Sequence, residues 1–168
     1  MNLTQQRIAA AWGVLATVPD PEVPALSLCD LGVVRSVVAD AVGLAVALTP
    51  TYSGCPATEV IAASVVSALD DAGLGPTRTS LQRAPAWSSD WISAEGRAKL
   101  LAYGIAPPGP VDAATGVPIR LHRKPRPVPC PRCASTSAEQ LSAFGGTACK
   151  ALYRCVTCAE PFEYFKAI

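Results

Sequence analysis

Histidine is nearly missing: 168 residues contain one, His122. A Cys–His nucleophile needs an imidazole beside its thiol, so catalysis of that type is disfavoured. There is no Glu-x-x-His pair for a di-iron centre and no Gly-x-Gly-x-x-Gly loop for a dinucleotide. Half the residues are hydrophobic, yet no apolar run reaches the ~18–20 residues that cross a bilayer. Met1–Arg7 lacks the basic and then greasy pattern of a secretory leader. Aromatic residues make up 6 % and do not alternate with basic ones, which argues against nucleic acid.

Cysteine and proline are the residues in evidence. Seven cysteines are an odd number, and four have metal-ligand spacing. Both facts predict a reducing cytoplasm rather than a disulfide framework. The four are Cys130-Pro-Arg-Cys133 and, after twenty-one residues, Cys155-Val-Thr-Cys158. Each Cys-x-x-Cys knuckle can close two thiolates on one ion, and two knuckles complete a tetrahedral sulfur shell. The spacing is that of a zinc ribbon with a structural Zn. A rubredoxin-like iron and a pair of redox dithiols are the alternatives.

Charge divides the chain. Residues 1–105 carry six Lys/Arg against nine Asp/Glu, and residues 106–168 carry eight against four. In the first part, Ile8, Ala11, Trp12 and Leu15 form an apolar helical stripe behind a Thr4 cap. Asp20-Pro21-Glu22-Val23-Pro24 reads as an ordered loop. Val33 to Val38 is strand-like, and Val42, Leu44, Val46 and Leu48 alternate in a second strand, with Ala39-Asp40-Ala41 as the turn. Pro56 suits a first helical position, so Cys55 is expected to cap a helix through Ile61, Val65 and Leu69, closed by Gly73. A strand from Thr77 to Arg83 and a helix from Ser93 to Tyr103, stopped by Gly104, complete the order α-β-β-α-β-α, a small α+β sandwich. Seven of sixteen prolines fall between Ala106 and Pro129, which marks a stiff linker. The expected domains are therefore 1–105, a basic Pro-rich linker 106–129, and a zinc ribbon 130–168.

Outside the quartet, Cys55 stands out. A thiol capping a helix should ionise more readily than usual, and could serve as a metal ligand or simply be core. Asp20, Glu22 and Asp30 are acids that loops at one sheet end could bring near it, and Thr49 to Ser53 add hydroxyls. Cys29 is expected in the core and Cys149 in a structural role. Arg132, Lys150 and Arg154 are expected to offset the charge of four thiolates. Phe162, Tyr164 and Phe165 belong to a final strand or a hydrophobic docking patch. The basic stretch from Arg120 to Arg126 could hold phosphates of nucleic acid or coenzyme A, but reads rather as a solvated arm or one docked on an acidic partner.

Asp20-Pro-Glu-Val-Pro24, Asp30-Leu-Gly-Val33 and Thr49-Pro-Thr-Tyr-Ser-Gly-Cys-Pro56 resemble the SufT-like iron–sulfur cluster assembly domain family. Trp87-Ser-Ser-Asp-Trp-Ile92, the first knuckle, Phe144-Gly-Gly-Thr-Ala-Cys-Lys150 and Glu160-Pro-Phe-Glu-Tyr-Phe-Lys166 narrow the likeness to the PaaD (or PaaJ) family of phenylacetyl-CoA epoxidase components. The resemblance implies a bacterial cytoplasmic accessory protein of phenylacetate catabolism, not an enzyme in its own right. Its implied partners are the oxygenase and reductase subunits, with a homodimer also compatible and neither nucleic acid nor membrane involved. It further implies that Cys55, with Asp20 and Glu22, transiently holds Fe or an Fe–S cluster. A stably bound structural subunit is the alternative reading.

Overall fold

The computed structural model describes residues 2–52, 54–111 and 127–168. The basic stretch Arg120–Arg126, with His122, and Ser53 lie outside the described residues. Contacts group the chain into two units, Met1–Lys99 and Leu100–Ile168.

The first unit begins with α1 (Leu3–Leu15). Its cap is Asn2 rather than Thr4: Asn2 Oδ1 accepts from the Gln5 amide at 2.8 Å, and Gln5 Oε1 accepts from the Asn2 amide at 3.1 Å. This reciprocal pair sets the helix boundary two residues earlier than a Thr4 cap would. Ala11 and Leu15 are buried, as the stripe required. The hairpin β1 (Val34–Ala39) and β2 (Leu44–Leu48) is antiparallel, and β3 (Thr77–Leu81) runs parallel to β2, in the order β1-β2-β3. A parallel neighbour needs a crossover. It is supplied by α2 (Thr58–Asp71), which buries Ile61, Val65 and Leu69 and packs on β3 and α1. Leu44, Val46 and Leu48 are buried as their alternation demanded, whereas Val42 is exposed and lies in the turn.

Asp40 Oδ1 holds that turn by accepting from the Val42 and Gly43 amides. A Cβ on Gly43 would lie 2.0 Å from the Pro76 carbonyl oxygen. That oxygen accepts the Leu44 amide at 2.9 Å and cannot retreat without breaking the start of the β2–β3 ladder. Gly73 (φ +71°) and Gly104 (φ +87°) follow the ends of α2 and of α3 (Ala94–Ala102) in the left-handed conformation, as predicted.

In the second unit, Ile105 and Ala106 form the short strand β4. Strands β5 (Ala138–Ser142), β6 (Lys150–Cys155) and β7 (Pro161–Phe165) form an antiparallel meander. β4 adds to β7 in parallel, giving the order β4-β7-β6-β5. The small core is Ala106, Val128, Cys130, Cys155 and Phe162, with Tyr153 and Tyr164 packed on it. Phe162 and Phe165 are buried, so they are not the docking patch that their sequence allowed. The α-β-β-α-β-α order and the four-cysteine ribbon are thus both present.

Gly43→Ala should cost about 1–3 kcal/mol, because an added methyl would drive backbone against backbone. Urea unfolding followed by circular dichroism measures this, and an unchanged midpoint would contradict the close approach.

Candidate metal and thiol sites

The two knuckles fold alike. The Cys130 amide donates to the Ser135 carbonyl and the Cys155 amide to the Glu160 carbonyl, both at 2.9 Å. Each knuckle then leaves its second cysteine through an alanine with positive φ, Ala134 at 59° and Ala159 at 61°. L-residues adopt that region at a cost of about 1–2 kcal/mol. Its appearance twice, each time at an alanine, indicates that the turn geometry is imposed by what the sulfurs face. All four sulfurs lie within 4.8 Å of one another. Cys130 and Cys158 Sγ are 3.8 Å apart, and Cys133 and Cys155 Sγ 3.5 Å. A tetrahedral ion with Zn–S bonds of ~2.3 Å sets its sulfurs about 3.8 Å apart, so the donor set fits that ion in type and size. The Cys158 amide donates to Cys155 Sγ at 3.5 Å, and this hydrogen bond comes first among those that hold the Cys155 thiol down at about 6.

The cations expected to balance the thiolates are otherwise engaged. Arg132 pairs with Glu160, Lys150 with Glu163, and Arg154 with Glu139. Arg132 still serves the site indirectly, because Glu160 follows the second knuckle and the pair ties the knuckles together.

Cys55 differs from its expectation. The helix starts at Thr58 with Ala57 at the cap position, and no side chain caps it. Pro56 instead opens a turn, in which the Cys55 carbonyl accepts from the Thr58 amide at 3.3 Å and its hydroxyl at 2.8 Å. Cys55 therefore precedes the helix by three residues and is half-buried. Its thiol is pushed up rather than down. Burial is the largest cause, and the charges of Glu22 and Asp20 add to it, against hydrogen bonds from the Ala57 amide and the Thr58 hydroxyl.

Asp20 is buried, and its Oδ1 accepts from the Glu22 and Val23 amides at 2.9 and 2.8 Å. That turn holds the Glu22 backbone in place. Asp30, the third acid, is not part of this group. Its carboxylate takes Ser27, Ser93 and Lys99, and the thiol whose ionisation it opposes is Cys29. The Cys29 thiol is raised to about 11, first by burial and then by Asp30. Thr49 and Thr51 are buried, and Thr49 Oγ1 has no hydrogen-bond partner among the described residues. Cys149 is buried with its sulfur 3.0 Å from the Thr147 hydroxyl. No described helix is long and apolar enough to cross a membrane.

Comparison with known proteins separates the same two sites. Residues 8–80, which contain Asp20, Glu22 and Cys55, match the family described as iron–sulfur cluster assembly protein. Residues 114–166, which contain all four knuckle cysteines, match the PaaD zinc beta ribbon domain. Over 167 residues the chain is 46 % identical to an Escherichia coli (strain K12) protein that is provisionally named as the D component of 1,2-phenylacetyl-CoA epoxidase. The match covers 99 % of this chain and 97 % of that one. This chain belongs to the PaaD family. A domain of unknown function, DUF59, from Bacillus anthracis shares the PaaD N-terminal fold, with TM-score 0.54 and 24 % identity over 58 % of this chain and 93 % of that one. A Thermotoga maritima protein, TM0487, aligns with TM-score 0.45 and 26 % identity over 54 % and 89 %.

Two outcomes test these sites in the PaaD chain. Stripping the metal with a strong chelator should unfold the ribbon and spare the helical signal of α1 and α2, because binding energy of about 10 kcal/mol or more is folding energy for so small a module. Retention of ribbon structure in NMR spectra of the metal-free chain would refute this. Separately, Glu22→Gln removes a charge that opposes the Cys55 thiolate, so alkylation of Cys55 near pH ~7.5 should quicken roughly two- to fivefold. Peptide mass spectrometry of iodoacetamide-pulsed protein reads that rate, and an unaltered pH profile would mean that the two groups do not sense each other.

Proposed function

We propose that this chain is a non-catalytic, cytoplasmic accessory factor of a phenylacetyl-CoA epoxidase. In this reading Cys55, with Asp20 and Glu22, receives iron or an iron–sulfur cluster as cargo and passes it to an oxygenase or reductase subunit. The quartet Cys130, Cys133, Cys155 and Cys158 holds a structural zinc, and the ribbon built on it meets the partner. The domain carrying Cys55 ends near residue 105 in this reading, and the basic Pro-rich stretch that follows connects it to the ribbon, whose sheet and core also take in Ile105, Ala106 and Val128.

The observation that carries this reading is that Cys55 is half-buried, and that burial first and the Glu22 and Asp20 charges after it oppose ionisation of its thiol. A thiol in such surroundings stays protonated near neutral pH and is slow to react with electrophiles. An arriving divalent cation reverses the balance: the thiol proton leaves to solvent, the sulfur becomes a ligand, and the carboxylates now attract what occupies the site. One thiolate and two carboxylates fall short of the four ligands that a stable cluster takes. Release to an acceptor with more thiolates is therefore favoured. The match of residues 8–80 to an assembly family and the name of the E. coli relative support the cargo and the recipient.

Anaerobic reconstitution tests the proposal. The wild-type chain, preloaded with ferrous iron, should restore activity to iron-depleted epoxidase subunits, and Cys55→Ser should restore less than roughly a tenth as much. Equal restoration by Cys55→Ser would end the carrier reading. The relative's name as an epoxidase component favours a second reading, a structural subunit held at fixed stoichiometry. Full activity of a complex matured and assembled without this chain would remove it.

A further inference from the structure

On the ribbon, two apolar side chains are exposed by specific backbone devices. Leu141 is 50 % exposed and Phe144 65 %. Leu141 is the extra residue of a β-bulge: Gln140 pairs with Tyr153 and Ser142 with Leu152, which leaves Leu141 unpaired between them. Bulges at sheet edges re-aim side chains, and β5 is an edge of its sheet.

Phe144 sits at the head of a turn anchored at several points. Its amide donates to Ser142 Oγ at 3.1 Å. The Gly145 amide donates to the Lys150 carbonyl at 2.8 Å, and the Gly146 amide to Glu163 Oε1 at 2.7 Å. Glu163 is in turn held by the buried Lys150 ammonium at 2.7 Å. The turn approaches so closely that a Cβ on Gly145 would stand 2.7 Å from Glu163 Oε1. Buried ion pairs contribute little net stability. This one, with two glycines, fixes a turn that presents a phenyl ring to solvent. Lys166 Nζ lies 4.3 Å from the ring centroid and donates to the Ala148 carbonyl at 2.8 Å. Among the described residues it has no carboxylate partner, whereas Arg132, Lys150 and Arg154 all do.

We infer that Phe144 and Lys166 form the ribbon's docking surface, and that it fits a protein pocket that is apolar at its base and carboxylate-lined at its rim. The inference rests on the proposed function for its occupant, an epoxidase subunit, and adds the residues that recognise it. An aromatic side chain already fixed in place loses little conformational freedom on binding, and a central aromatic anchor carries a large share of interface energy. The ammonium beside the ring supplies the charge that selects an acidic rim.

The test uses the full-length, metal-loaded chain and purified epoxidase subunits from its own organism, with affinity read by calorimetry. Phe144→Ala should weaken binding about tenfold or more, and Lys166→Glu should weaken it and remove its salt dependence. Val42→Ser, which trims an exposed apolar residue in the other unit, should bind as wild type. Circular dichroism and metal content should match across the set. Wild-type binding with an unchanged affinity for Phe144→Ala overturns the docking surface and leaves the carrier reading standing. No binding of any subunit by wild type overturns both. Sedimentation showing that wild type dimerises and Phe144→Ala does not would assign the surface to a second copy of the chain, which also overturns the inference.

Discussion

Four sulfurs brought within 4.8 Å of one another are the constraint on which the ribbon depends. As thiolates they repel, and as thiols they form hydrogen bonds too weak to hold two reverse turns in a strained conformation. A divalent ion at their centre changes both terms, since it neutralises part of the charge and contributes binding energy of order ~10 kcal/mol. The apolar cluster against the sulfurs is small, with Ala106, Val128 and Phe162 around two ligand-spaced cysteines. An ion held by the quartet would add to what burial alone supplies there. Ala134 and Ala159 in the left-handed region are consistent with that, because their strain is tolerable only where something stronger dictates the turn.

The other thiol is governed by the opposite electrostatics. At Cys155 a neighbouring amide favours the thiolate; at Cys55, burial and the Glu22 and Asp20 charges oppose it and outweigh two hydrogen bonds that favour it. The cause lies in the turns. Pro56 opens a reverse turn, so α2 starts three residues beyond the cysteine, and its first amide, that of Thr58, donates to the Cys55 carbonyl rather than to the sulfur. The Asp20 turn, pinned by two amides, carries both acids. One chain thus contains a sulfur, Cys155, whose thiolate the backbone favours, and another, Cys55, whose thiol is kept protonated.

Much of the architecture is legible in residue pattern, and the departures have specific causes. The alternation at Leu44, Val46 and Leu48, the knuckle spacing, and the helix-ending Gly73 and Gly104 are local signals, and each appears where expected. The start of α2 is not legible in this way, because proline at a first helical position and proline opening a turn look the same in sequence. Only the Thr58 hydroxyl, which bonds back to the Cys55 carbonyl, distinguishes them. Convergence of loops at one end of a sheet suggests grouping Asp30 with Asp20, but the Asp30 carboxylate is claimed by Lys99, 69 residues away. No local pattern carries that information. In the ribbon, alternation marks β7 as a strand without saying which face is covered. The buried Phe162 and the exposed Phe144 are equally aromatic in sequence.

The contrast between those two phenylalanines bears on how the halves divide the work. A ribbon stapled by a metal ion at its four sulfurs would not need to place all its aromatic residues in a core, and Phe144 is left outside on a turn fixed by Lys150, Glu163 and two glycines. Phe162 stays inside, stacked 5.9 Å from Tyr153, in the same small core as Cys130 and Cys155. The same reasoning accounts for the chain's division. In the proposed function, recognition needs a stiff surface, for which the four-sulfur ribbon is suited. Transfer needs a ligand set incomplete enough to let go, for which one thiol opposed by burial and two acids is suited.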